Sequence, residues 1–146
     1  MNVTTFLIAW ILSVITMTLF SALIARITGK KMVEPVLISE LIHRFYYRSG
    51  GTRRSLYIGW AIHFLVGIFF LLLYELLWLL TGFERVLLWG FVFGAIMGIL
   101  GILGWIGIFI IHPRPPKLHF TLYYLQLFFA HIVFSITSLI IYHIFL

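Results

Sequence analysis

Long runs of apolar residues alternate with short polar stretches along the 146-residue chain. Four of these runs reach the length of about 20 residues that an α-helix needs to cross the hydrocarbon core of a bilayer. The pattern therefore predicts an all-α protein with four membrane-spanning helices in a single membrane domain. We expect the spans at about residues 3–25, 55–81, 86–111 and 119–146.

Residues 34–48 show a different pattern, in which apolar and polar residues separate onto two faces. The apolar residues recur at helical spacing and form one stripe: Leu37, Ile38, Leu41, Ile42 and Phe45. Glu40, His43 and Arg44 fall on the opposite face. A short helix of this kind is typical of the membrane interface. We therefore predict a cytoplasmic amphipathic helix that lies on the membrane and does not span it.

Small residues and one short loop predict how the helices pack. The first span carries a face of small side chains that favours tight packing: Ala9, Ser13, Thr16 and Ser21. The third span carries a glycine face that lets another backbone or a flat ligand approach: Gly90, Gly94, Gly98 and Gly101. Only residues 82–85 join the second and third spans, so we expect these two helices to be antiparallel neighbours.

The composition excludes several kinds of chemistry. Hydrophobic residues make up 63% of the chain and charged residues 10%, whereas a soluble domain has roughly a quarter of its residues charged. The chain has no cysteine, which excludes disulfides, thiol catalysis and cysteine-bound metals. It carries no nucleophile motif, phosphate-binding loop or metalloprotease motif. We therefore expect neither catalytic residues nor a metal site.

The placement of the positive charges predicts the orientation in the membrane. Nine of the ten Lys and Arg residues fall in the loops at 26–54 and 112–118, and only Arg85 lies on the opposite side. Positive loops stay in the cytoplasm, so both termini are expected outside. We interpret the net charge of +6 as a signal of topology and expect no nucleic-acid partner. The basic side chains of the first loop are expected to contact anionic headgroups: Lys30, Lys31, Arg44, Arg48, Arg53 and Arg54.

Two histidines lie inside predicted spans and begin a weak internal repeat. His63 is followed by Gly67 and Tyr74, and His131 is followed at the same offsets by Ser135 and Tyr142. Each set falls on one helix face, since an offset of eleven residues is close to three turns. The repeat predicts two helix hairpins related by a pseudo-two-fold axis along the membrane normal.

Glu75 and His143 are the other ionisable residues of these two helices. Each follows the tyrosine of the repeat by one position, which turns it about 120° away from the histidine face. We therefore expect both side chains near the outer interface, in contacts that involve Arg85 or Glu84.

A family resemblance rests on several short motifs. The chain combines a small-residue first helix, a basic amphipathic loop, Gly59-x3-His63-Phe-x2-Gly67-x6-Tyr74, Gly90-x3-Gly94, His112-Pro113 and Ala130-His131. In this succession it resembles the small four-helix bacterial inner-membrane proteins of the YagU type. The resemblance implies a four-span topology in a bacterial inner membrane and draws attention to the two histidines. It implies no activity.

Three functions fit the two intramembrane histidines. In the first, His63 and His131 hydrogen-bond neighbouring helices in a non-enzymatic structural or accessory component that packs with a second copy or a larger complex. In the second, both imidazoles bind a b-type haem for electron transfer, with Gly59 and Gly67 leaving room for the porphyrin. In the third, the histidines form a proton or ligand site with Tyr74 and Tyr142, as in a small transporter.

Overall fold

The computed structural model describes residues 2–46 and 53–145 and contains five α-helices. They are α1 (Val3–Thr28), α2 (Glu34–Tyr46), α3 (Arg53–Thr81), α4 (Leu87–Ile111) and α5 (Phe120–Phe145). The four helices other than α2 are long and apolar enough to cross a membrane. The predictions of an all-α fold and of four spanning-length helices are therefore confirmed.

Helix α5 is the centre of the bundle because it packs along both α1 and α4. Three residues of the small-residue face of α1 are fully inaccessible, Ala9, Ser13 and Ser21, and the fourth, Thr16, is partly buried. The glycine face of α4 brings that helix onto α5. A Cβ added to Gly94 would lie 2.8 Å from the Cα of Ile132, a distance that real Cβ atoms do not adopt. Glycine is therefore what allows the two backbones to approach this closely.

Helices α3 and α4 meet at their linked ends and stand apart over the rest of their length. The rings of Tyr74 and Trp78 contact Phe93 near the connecting loop. The expectation that these helices are close neighbours therefore holds only at that end. Glycine packing explains the separation, since α3 presses Gly67 against Val14 of α1, whereas the glycines of α4 face α5.

The same separation shows that the packing does not follow the predicted two-fold repeat. A two-fold axis relating the two hairpins would pair the α1–α5 contact with an equivalent contact between α4 and α3. The α1–α5 contact is extensive, and the α3–α4 contact is sparse. The prediction of two equivalent hairpins is thus wrong for the packing, because small residues line only the first of these interfaces.

Helix α2 docks into the bundle against α3. Leu37 and Leu41 of the predicted apolar stripe are buried, but so are Glu34 and His43, whereas Phe45 is 56% exposed. An interfacial position is not confirmed, because the buried face includes polar residues that an interfacial helix would turn to water. The predicted helix extends to residue 48, and residues 47 and 48 lie outside the described residues.

The carboxyl end of α2 is held by the loop between α4 and α5. The Nε2 atom of His112 donates to the carbonyl oxygen of Leu41 at 3.0 Å. The Nη2 atom of Arg114 donates to the carbonyl oxygen of Phe45 at the same distance. The second bond satisfies a carbonyl in the last turn of α2, where the end of a helix leaves carbonyls without partners. The two bonds place α2 and the loop at 112–118 at the same end of the bundle.

Candidate functional site

A cavity of about 690 Å³ lies where α3 and α4 stand apart. Side chains of α2, α3, α4 and α5 form most of its wall, which is largely aliphatic and aromatic. Three ionisable residues are among those that line it: Glu34, His63 and His131. The aromatic residues of the wall are Phe69, Phe70, Trp105 and Phe134. The cavity is of the size that takes a drug-sized ligand.

The cavity opens sideways, between α3 and α4. Several residues of its wall are also exposed on the outer surface of the bundle, among them Phe69 at 58% and Ile108 at 45%. Phe69 belongs to α3 and Ile108 to α4, so these residues mark the two edges of the opening. Both helices have the length and composition of membrane spans.

His131 presents one nitrogen that is available to a ligand. Its Nδ1 lies 2.9 Å from the carbonyl oxygen of Leu127 on the same helix. A carbonyl oxygen only accepts, so Nδ1 carries the hydrogen, and the Nε2 of the neutral imidazole has a lone pair. This Nε2 has no hydrogen-bond partner within residues 2–46 and 53–145. The ring packs edge-on to Phe70, with centroids 4.9 Å apart.

His63 lies on the same cavity wall with a different partner. Its Nε2 lies 2.9 Å from the hydroxyl of Thr18 on α1. That hydroxyl donates its hydrogen to the carbonyl oxygen of Val14 at 2.7 Å, so it accepts from His63. The neutral imidazole then has its lone pair on Nδ1. The two histidines therefore share one cavity, and each presents one hydrogen-bond acceptor.

Glu34 is a buried carboxyl that the sequence patterns did not single out. It is 2% exposed and belongs to the first turn of α2. Its Oε1 accepts from the hydroxyl of Ser21 at 2.8 Å and from the amide of Gln126 at 3.3 Å. Burial raises the pKa of Glu34 to about 7, against the lowering effect of these hydrogen bonds. One signal was available in the sequence, since Gln126 is the chain's single glutamine and lies inside a predicted span.

Several polar atoms around Glu34 have no hydrogen-bond partner among the residues that the structure describes. They are the second carboxylate oxygen of Glu34, the amide oxygen of Gln126 and the hydroxyl of Tyr123, all buried. Buried polar groups in folded proteins are almost always hydrogen-bonded, so a cluster of three requires an explanation. A proton on Glu34 or a polar ligand group would satisfy part of this cluster.

The other residues grouped with the histidines lie mostly outside the cavity wall. Gly67 is part of the wall, but Gly59 is covered by the backbone of α2 at Pro35. The hydroxyl of Tyr74 lies 3.4 Å from the carbonyl oxygen of Ser135. Tyr142 lies under the guanidinium of Arg85, 4.5 Å from the ring centroid. Neither tyrosine lines the cavity.

Glu75 and His143 have separate environments near the other end of the bundle. Both carboxylate oxygens of Glu75 accept from Arg85, at 2.9 and 2.6 Å. Partial burial opposes the charge on Arg85, but the carboxylate outweighs it and raises the pKa of Arg85. His143 is exposed. This ion pair ties the loop at 82–86 to α3.

The basic residues expected at the headgroups differ in their surroundings. Lys31 and Arg44 both pair with Glu40, at 3.0 and 2.7 Å. Partial burial alone would raise the pKa of Glu40, but these two cations lower it. Lys30 and Arg54 are exposed, whereas Arg48 and the side chain of Arg53 lie outside the described part of the chain.

The described residues hold no group of three His, Asp or Glu side chains that could bind a metal ion. Comparisons with protein-family models, curated proteins and solved structures find no match to this chain. A proposal for the function therefore rests on the geometry of the cavity.

Proposed function

We propose that this chain is a multi-pass membrane protein that binds a lipid-soluble molecule in the cavity between α3 and α4. The observation that carries the proposal is the lateral opening of a ligand-sized, mostly aromatic and aliphatic cavity. Binding sites for small molecules have this character, with a few polar groups in an apolar wall. The two histidines and Glu34 are those polar groups here.

The cavity leaves a large apolar surface without packing partners. Protein interiors are close-packed, and voids larger than a water molecule are few. An empty space also removes dispersion contacts from every residue that lines it. A molecule that enters from the bilayer restores these contacts, and the acceptor nitrogens of His63 and His131 orient it through its donor groups.

Two glycines of α4 offer a matched test. A Cβ at Gly104 or at Gly107 would meet no atom within 4 Å, so both positions have room for a larger side chain. Gly104 lines the cavity, and Gly107 does not. We expect Gly104→Phe to fill the cavity and Gly107→Phe to leave it open.

The readout is the binding of the neutral fluorescent lipophile N-phenyl-1-naphthylamine to the purified full chain, corrected for empty micelles. Saturable binding to the wild type and to Gly107→Phe, with at least tenfold weaker binding to Gly104→Phe, supports the proposal. Equal affinity of the two variants would contradict it.

The orientation of the protein belongs to the same proposal. The loops at 26–54 and 112–118 face the cytoplasm of a bacterial inner membrane, with both termini outside. The positive charge of these loops supports this arrangement. The hydrogen bond from Arg114 to Phe45 also supports it, because it joins the two loop regions at one end of the bundle.

A second candidate function is the binding of a b-type haem by His63 and His131. The observation in its favour is that both imidazoles line one cavity. His131 has the arrangement of a metal ligand, with Nδ1 bonded to a carbonyl and Nε2 free. His63 would present its Nδ1 instead, since its Nε2 is bonded to Thr18.

The visible spectrum of protein purified from haem-replete cells tests this candidate. Haem binding predicts an α band in the reduced protein that is lost in His63→Ala and in His131→Ala. A colourless preparation would exclude it and would leave the first proposal intact.

A further inference from the structure

Glu34 differs from Glu40 and Glu75 in the charge of its hydrogen-bond partners. Glu40 pairs with two cations and Glu75 with one. Within the described ranges, no lysine or arginine pairs with Glu34, whose partners Ser21 and Gln126 are neutral. An ionised carboxylate buried without a cation is costly. The site is therefore neutral only when Glu34 holds a proton or when a cation is supplied from outside the chain.

The groups that face Glu34 include neither lysine nor arginine among the side chains that the structure describes. Helix α1 contributes Ser21, and α5 contributes Gln126 and the neutral phenol of Tyr123. Across the cavity, α3 and α5 contribute His63 and His131, and α4 contributes Trp105 but no titratable group. Burial raises the pKa of Glu34 to about 7, so both its protonated and its ionised form occur near neutral pH.

The rest of the cavity wall suits a positive charge in an apolar molecule. Aromatic faces attract cations, and the wall carries Phe69, Phe70, Trp105 and Phe134. The histidines add two acceptor nitrogens, and no lysine or arginine side chain that the structure describes lines the wall. An anion in the cavity would face the two hydrogen-bond acceptors and the carboxylate of Glu34, which do not favour a negative charge.

We infer that the molecule bound in the cavity is a lipophilic cation, and that it competes with a proton for the carboxylate of Glu34. This inference rests on the proposed function of the cavity. When the cation enters a site in which Glu34 is protonated, the carboxyl O–H bond breaks and the proton leaves to solvent. The carboxylate that remains pairs with the cation, so the charge of the site is conserved.

Two rigid ions of equal shape and opposite charge test the inference. Tetraphenylphosphonium is a permanent cation and tetraphenylborate is a permanent anion, so any pH dependence belongs to the protein. Binding of each is measured by equilibrium dialysis of the detergent-solubilised full chain against empty micelles, between pH 5 and 8. Glu34→Gln removes the charge in the cavity. Glu84→Gln removes the same charge from an exposed loop position and serves as the control.

We expect tetraphenylphosphonium to bind with an affinity that rises about tenfold per pH unit up to pH 7 and is constant above it. At pH 6 its binding should release close to one proton, measured with a pH indicator in weak buffer. Above pH 7, Glu34→Gln should bind it at least tenfold more weakly than the wild type does. Its affinity should not depend on pH, whereas Glu84→Gln should behave as the wild type. Tetraphenylborate should bind no better to the protein than to micelles.

Equal binding of the two ions, or wild-type behaviour of Glu34→Gln, would overturn the inference. Failure of tetraphenylphosphonium to bind while N-phenyl-1-naphthylamine binds in a Gly104-dependent way would overturn the charge preference alone. Failure of both probes would overturn the proposed function as well.

Discussion

The imidazole of His131 occupies the space that a side chain at Gly101 would need. A Cβ added to Gly101 would lie 2.6 Å from Cε1 and 2.8 Å from Nε2 of His131. Both distances are shorter than non-bonded carbon and nitrogen atoms allow. The position of His131 on the cavity wall therefore depends on a glycine of the neighbouring helix.

Gly101→Ala tests this dependence. The added methyl group forces the His131 ring to move, so we expect a loss of about 1–3 kcal/mol in the free energy of unfolding, as for other overpacked sites. His131→Ala in the same background should recover most of this loss. Gly107→Ala is the control, since that position is open and alanine favours the helix. Equal thermal stability of Gly101→Ala and Gly107→Ala in detergent would contradict the account.

The docking of α2 depends in the same way on Gly59. A side chain there would collide with the carbonyl oxygen of Pro35 and with Ser39, and backbone atoms cannot move aside cheaply. We expect Gly59→Val to release α2 from α3. The chain has no cysteine, so single cysteines can report the release.

Leu37 is fully buried and Val36 is 45% exposed, which makes them a matched pair of reporters. Leu37→Cys should react with N-ethylmaleimide several-fold faster when combined with Gly59→Val, whereas Val36→Cys should react at similar rates in both backgrounds. Gly104→Val is the control for replacing a glycine by valine, because a Cβ at position 104 would meet no atom within 4 Å. An unreactive Leu37→Cys in the Gly59→Val background would show that α2 stays docked.

The buried carboxyl of Glu34 predicts a pH-dependent stability. Its pKa is about 7 in the folded protein and 4.5 for an unperturbed glutamate, so folding takes up a proton between these values. Stability relative to Glu34→Gln is therefore greatest below pH 4.5, falls as the pH rises to about 7, and is constant above that. The expected fall is about 3 kcal/mol, from about 1.4 kcal/mol per pKa unit. The free energies of unfolding of the wild type and Glu34→Gln in detergent, at pH 4.5 and pH 8, measure this fall. A difference between the two proteins that does not change with pH would contradict the prediction that Glu34 is uncharged at low pH in the folded protein.

The positions of the long helices could be predicted from the sequence, and the cavity could not. Lipid requires long apolar runs, so hydropathy alone places the four spans. The role of Glu34 depends on Ser21, 13 residues before it, and on Gln126, 92 residues after it. No local periodicity of the sequence encodes such a distant contact. A buried glutamate at the start of an amphipathic stretch therefore has the same sequence pattern as a glutamate at the membrane interface.

The cavity itself arises from the choice of helix partners. The loop at 82–85 permits α3 and α4 to pack or to diverge, and the glycine contacts with other helices decide between these arrangements. The sequence predicts that both histidines contact neighbouring helices or a shared ligand, but that they line one cavity depends on this divergence. Assembly with a second copy or a larger complex stays a prediction.

The predicted orientation can be tested with the same cysteine-free background. Lys30→Cys and Glu84→Cys place a thiol at exposed positions in the loops on the two sides of the membrane. In intact spheroplasts a membrane-impermeant maleimide should label Glu84→Cys only, and Lys30→Cys should become reactive after lysis. Labelling of both positions from outside would contradict the proposed topology.

The most direct test of the ligand cavity is a map of photolabelled residues. The neutral photoreactive lipophile 3-(trifluoromethyl)-3-phenyldiazirine is added to the full chain in nanodiscs, with and without excess N-phenyl-1-naphthylamine, and adducts are located by mass spectrometry. The account predicts that the competitor suppresses labelling at residues of α3 and α4 that line the cavity: Ile62, Val66, Phe69, Leu73, Leu100 and Ile108. It also predicts unchanged labelling at Leu19 and Leu23, which are 62% and 54% exposed on α1. Labelling that the competitor leaves unchanged on every helix would contradict the account.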